Sequence, residues 1–130
     1  MISSIQEWVN YFDEGCNIIH INFNPFTKEI VLDLEVIEGG VTNKFKVEFQ
    51  SVASIYYNAG IGDARLNDIR SDEFNWQLFE MAYFPDGIGN LGNDKLDEYH
   101  SNANFIIIFN TMLISIEAKR ISINSQEICL

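Results

Sequence analysis

Ile30-Val31-Leu32-Asp33-Leu34-Glu35-Val36-Ile37-Glu38-Gly39-Gly40-Val41-Thr42-Asn43-Lys44-Phe45-Lys46-Val47-Glu48-Phe49 decides the fold of this chain. Ile30, Leu32, Leu34 and Val36 share one parity, with Asp33 and Glu35 on the other. Gly39-Gly40 breaks the run, and Phe45, Val47 and Phe49 then alternate with Lys44, Lys46, Glu48 and Gln50. A period of two means a half-buried strand, because successive side chains leave a pleated backbone on opposite faces. Two such runs around a Gly-Gly loop read as antiparallel neighbours with one wet face. On that face Lys46 and Lys44 can sit across from Glu35 and Asp33 if the register allows, exposed pairs worth about 0–1 kcal/mol each.

Upstream, Ile19, Ile21 and Phe23 alternate with His20, Asn22 and Asn24, and the stretch from Asn24 to Lys28 has turn chemistry, so a third strand joins the meander. Before it the period is helical: Ile5, Trp8, Val9 and Phe12 form one apolar stripe. Ser4 and Glu7 fit a capping box, and Gly15 is a natural stop. Downstream, Ser51 to Tyr57 fits a short helix facing inward through Val52, Ile55 and Tyr56, while Asn58 to Asp72 reads as irregular. Phe74 to Phe84 reads as a strand whose apolar residues occupy both parities, which requires burial on both faces or a bulge near Leu78. Asp86 to Asn93 reads as a loop, followed by a short helix to about His100. Asn102 to Asn110 is apolar on both faces and reads as a central strand, with a tight turn at Asn110-Thr111. In the last strand the buried parity changes from Ile114 and Ile116 to Ile121 and Ile123, which demands a bulge or bend near Lys119-Arg120. The expectation is one domain, residues 1–130, of α+β class and mainly antiparallel β. Its N-terminal helix packs on a curved sheet or small sandwich of about seven strands.

Composition narrows the function. Hydrophobic residues make up 47% of 130 residues, enough for a core. The net charge of −11 opposes nucleic-acid phosphates and anionic membranes alike. The longest apolar run, Phe105 to Phe109, is too short to span a bilayer. The N-terminus lacks a basic stretch followed by a continuous apolar one, so a cytoplasmic protein with two free thiols, Cys16 and Cys129, is expected. Asp13 and Glu14 beside Cys16 argue against an activated thiolate.

The acidic excess is concentrated. Between Asp63 and Glu98 nine acids meet only Arg65, Arg70 and Lys95. Such a field attracts a cation or a basic partner. The cation reading rests on the oxygens of Asp86, Asn90, Asn93, Asp94 and Asp97, a small-ligand or calcium site on loop 86–98. Its spacing is not that of an EF-hand: Ile88 stands where an oxygen is required, and a solvated turn-rich loop explains the composition as well. No cofactor or resident metal is expected. His20 is expected on a polar strand face and His100 at a helix end; a catalytic role for either needs a nearby carboxylate and a nucleophile. No nucleophile elbow, zinc-protease helix or phosphate loop is present. Trp76 and Phe79 are expected in the core, whereas Tyr57, Tyr83 and Tyr99 suit a surface of aromatic anchors among steering carboxylates.

The meander from Ile30 to Phe49, the phrase Val47-Glu48-Phe49-Gln50-Ser51-Val52 and the closing Ile114-Ser115-Ile116-Glu117-Ala118-Lys119-Arg120-Ile121 resemble the small acidic immunity proteins of bacterial polymorphic-toxin systems. The resemblance covers most of the chain. It implies a non-enzymatic protein that binds a cognate toxin, for example a basic nuclease, and blocks it. The expected contact surface is Asp63, Asp68, Asp72, Glu73, Asp86, Asp94, Asp97 and Glu98 with Tyr57, Tyr83 and Tyr99.

Overall fold

The computed structural model describes residues 2–68, 76–91 and 94–130. One α-helix, α1 (Ile5–Asp13), precedes seven strands: β1 (Cys16–Asn24), β2 (Glu29–Glu38), β3 (Val41–Asn58), β4 (Gln77–Tyr83), β5 (Phe105–Phe109), β6 (Met112–Ile123) and β7 (Gln126–Ile128). All pairings are antiparallel. The order is β3-β2-β1-β4-β5-β6-β7, and β3 also pairs with β6. That last pairing closes six strands into a barrel and leaves β7 as an extension on β6. The expected mainly antiparallel α+β class is present, but as a barrel, not an open curved sheet or sandwich.

The closure comes from β3. It is 18 residues long and bonds to two neighbours in succession. Val41 to Phe49 pair with β2, while Val47 to Asn58 pair with β6. The short helix expected over Ser51–Tyr57 is therefore strand: its β-branched and aromatic residues suit a pleated surface with a partner alongside. Asp33 faces Lys46 and Glu35 faces Lys44, a register that the alternation alone left open.

Closing a sheet requires bends, and irregular residues supply them. Register shifts occur at Ile19 in β1, Ala53 in β3 and Phe79 in β4. The bulged Phe79 is turned out and 59% exposed, which corrects its expected place in the core, while Trp76 does pack against the core, 6.2 Å from the Phe109 ring. The parity change in β6 is a bend shared with the facing strand. Ala118 stands opposite Val52 and Ile121 opposite Phe49, all four buried. Between them Ser51 adopts φ 51°.

The helix begins as its capping box dictates: Ser4 Oγ accepts from Glu7 N, and Ser4 N donates to the Glu7 carboxylate. Its buried face is Ile5, Val9 and Phe12, joined by a ring cluster of Trp8, Tyr11 and Phe45. It also repairs a weak seam. Among the described residues β1 and β4 share only the pairs Cys16–Leu78 and Asn17–Gln77. Beyond them Asp13 Oδ1 accepts from Met81 N at 2.9 Å, standing in for a missing strand carbonyl.

Candidate functional site

Adjacent tyrosines of β3 lie on opposite sides of the barrel wall, and the bulge at Ala53 sets which of them faces inward. Ile55 and Tyr57 pair with Ile116 and Ile114 on the inner face, whereas Tyr56 pairs with Ser115 on the outer face. Tyr56 there forms a ridge between two concavities. One, about 300 Å³, lies against Ser54, Leu91, Tyr99, His100 and Ser115. The other, about 480 Å³, lies against Asn58, Ile61, Ile108 and Leu113.

Both acidic segments border this outer face. The 3-10 turn Gly62–Leu66 follows β3 directly and carries Asp63 at the edge of the larger groove, with Arg65 Nη1 3.6 Å from its carboxylate. The 3-10 turn Asp94–Leu96 leads through Asp97 and Glu98 to Tyr99, which walls the smaller groove. Asp63, Asp68, Asp86, Asp94, Asp97 and Glu98 are all exposed. Tyr99 is 75% exposed. Asp72 and Glu73 lie outside the described residues. Tyr57 faces the barrel mouth, not this groove. Tyr83 is half-buried, its ring 5.0 Å from Phe105 and committed to the core. Burial beside a large ring suits Tyr83 better than an exposed contact.

The loop that presents Asp86 and Tyr99 is tied down by amides. Asn102 Oδ1 accepts from Gly89 N at 3.0 Å, and its Nδ2 donates to Asp86 O at 3.1 Å. Asn90 Oδ1 accepts from Ser101 N, and Ser101 Oγ from Leu91 N. Gly87, at φ 79°, lies so close that an added Cβ would stand 2.0 Å from Asn102 Oδ1. Asn90 thus caps backbone at the position the cation reading gave to a ligand. Among the described residues no group of three or more His, Cys, Asp or Glu side chains converges.

His20 does meet an acid: Nδ1 lies 3.8 Å from Asp33 Oδ2, both side chains well exposed. It also rims an apolar cavity of about 510 Å³ with Ile18, Ile21, Ile55, Tyr57 and Trp76 among its walls. No serine or cysteine stands among the described lining residues. Cys16 is buried, and burial pushes its thiol up to about 12. The expected inert thiol is present, but desolvation, not its acidic neighbours, is the cause. Cys129 is free and exposed. Tyr11 is likewise raised to about 12, first by burial and then by donating to the Glu38 carboxylate. No described helix is long and apolar enough to cross a membrane.

The mouth cavity was not anticipated from sequence. Its residues alternate as core residues do, and only the switch of apolar parity from Cys16 and Ile18 to Ile21 and Phe23 hinted at the bulge that shapes its rim.

A family model described as YxiG-like protein matches residues 5–128. A Bacillus subtilis (strain 168) protein described as "Uncharacterized protein YxiG" is 51% identical over 126 residues, covering 97% of this chain and 91% of that relative.

Proposed function

The chain belongs to the YxiG-like family, and from the geometry of its outer face we propose that it is a non-enzymatic immunity-type protein that neutralises a basic partner, a cognate toxin. One observation carries the reading. Tyr56 on the outer face of β3 and Tyr99 offer rings beside concave grooves, the acid-bearing turn Gly62–Leu66 follows β3 and reaches the larger groove through Gly62, and the exposed acids Asp94, Asp97 and Glu98 lead in sequence into Tyr99. Carboxylates at such a rim steer a cationic surface and speed encounter, while aromatic anchors in grooves provide the holding contacts. The net charge of −11 favours the same partner chemistry over the whole molecule. The contact set is Asp63, Asp94, Asp97, Glu98, Tyr56 and Tyr99. Tyr56 is added, and Tyr57 and Tyr83 are left out, because of the faces they occupy.

The experiment is co-expression with the product of the neighbouring gene, which this proposal requires to be a basic toxin. Wild type should restore growth, and Asp94→Lys/Asp97→Lys/Glu98→Lys should lose that protection while keeping its melting temperature. The association rate should fall steeply between low and high salt. Undiminished protection by the triple variant, or an association rate indifferent to salt, would sink the acidic-face reading.

A further inference from the structure

Among the described residues the barrel is open beside the short seam between β1 and β4. After two residue pairs with β4, and the Ile18 N to Trp76 O bond, β1 runs on from Ile19 along the mouth cavity of about 510 Å³. By register Ile55 belongs to the inner face, opposite the buried Ile116, yet it is 39% exposed. An inward residue open to water marks an entrance to the interior. The floor of that entrance is Ile21, Ile55 and Ile114, and the same three side chains roof a second, enclosed void of about 20 Å³ whose other walls include Leu32, Phe49 and Ile107. A cavity of this size and wall chemistry is in the range of small-molecule sites.

We propose that the barrel mouth binds a neutral amphiphile with a single aliphatic tail, the tail against the isoleucine floor and the polar head at Tyr57. The isoleucines dictate the tail, since branched aliphatic walls around a narrow extension accept a flexible chain. Tyr57 dictates the head: among the described residues its hydroxyl reaches only Met112 Sδ, at 3.8 Å, a weak acceptor that a ligand oxygen replaces at a gain. The charge excludes an anionic head. Asp33 sits beside His20 at the rim in a chain of net charge −11, so a carboxylate head is repelled. This site faces away from the Tyr56 groove and stands or falls independently of the toxin-binding reading.

The test is a titration of the full chain with 1-decanol, followed by the isoleucine methyl resonances, with decanoate as the charged counterpart. Saturable shifts confined to Ile18, Ile21, Ile55 and Ile114, and decanoate weaker by tenfold or more, support the proposal. Tyr57→Phe should weaken 1-decanol binding about 2- to 10-fold, the worth of one hydrogen bond. Ile55→Trp, which fills the mouth from an already exposed position, should abolish the shifts while unfolding remains cooperative. Shifts that do not saturate, that persist in Ile55→Trp, or that decanoate matches would overturn it. So would contacts, in the ligand-free protein, from residues 69–75 or from a second copy to the mouth methyls.

Discussion

Asn104 stands one residue before β5 and extends that strand's pairing with a side chain. Its Nδ2 donates to Ala118 O at 2.8 Å, its Oδ1 accepts from Ala118 N at 3.1 Å, and its backbone N donates to Ile116 O at 3.0 Å. Ala118 is only 4% exposed. Asn104→Ala removes two hydrogen bonds, each worth about 1 kcal/mol net, and strands a buried N–H and C=O that cost about 1–3 kcal/mol apiece where water cannot follow. Partial water access trims the total to about 2–4 kcal/mol, or roughly 8–15 °C in melting temperature for a domain of this size. Asn104→Asp sharpens the argument. It keeps the acceptor but sets a carboxylate oxygen against the Ala118 carbonyl. The folded state then favours the protonated acid and raises its pKa above the unfolded value of about 3.9. The contribution of that group is complete below the unfolded pKa and is lost as pH rises through the folded one. The deficit of the Asp variant relative to wild type should therefore be larger at pH 7 than at pH 4, whereas that of the Ala variant should not change. Urea unfolding at both pH values, with hydrogen exchange at the Ala118 amide, measures this. An Asn104→Ala variant within about 1 kcal/mol of wild type, with Ala118 still protected, would refute the reasoning.

Gly87→Ala should displace Asn102, since the new methyl overlaps its amide and φ is 79°. A loss of about 1–3 kcal/mol and freer exchange at the Gly89 amide are expected in hydrogen-exchange and melting experiments. With a thiol reagent at pH 8 the native protein should react once, at exposed Cys129, and a second time only on unfolding, because burial holds Cys16 up to about 12. Tyr11, raised to about 12 when folded from an ordinary value near 10, contributes stability that is whole below about pH 10 and lost as pH climbs through about 12. Alkaline melting curves of Tyr11→Phe should accordingly be flatter over that window. Phe79→Ser, at a bulged and outward position, should stay within about 0.5 kcal/mol of wild type, whereas Phe105→Ala in the core should cost about 3–5 kcal/mol by urea titration.

Much of this molecule is local and was therefore readable. The capping box at Ser4 and Glu7, the helix stripe and the β2–β3 pairing each depend on residues a few positions apart. The bulge near Leu78 and the bend at Lys119-Arg120 also followed from local pattern, because a change of buried parity within one strand has few other solutions. The candidate site was legible only in part. The acidic residues were visible as charges, but nothing in their order says that Gly62 and Tyr99 line grooves on either side of Tyr56. Nor does the dipeptide Tyr56-Tyr57 reveal which ring faces the groove and which the barrel mouth: the bulge at Ala53 decides that.

By itself, then, the chain order determined the helix, most of the strands and the sign of the surface field, since periodicity and charge are properties of neighbouring residues, but not the state of Ser51–Tyr57 or the face of Phe79. Tertiary structure alone decided that the sheet closes. Closure depends on β3 meeting β6, residues more than fifty positions apart, and on whether the bulges bend the sheet far enough for that meeting. From closure come the barrel mouth, the exposed inward Ile55 and the two grooves on either side of Tyr56. Each is a relation between distant segments that no window of sequence contains.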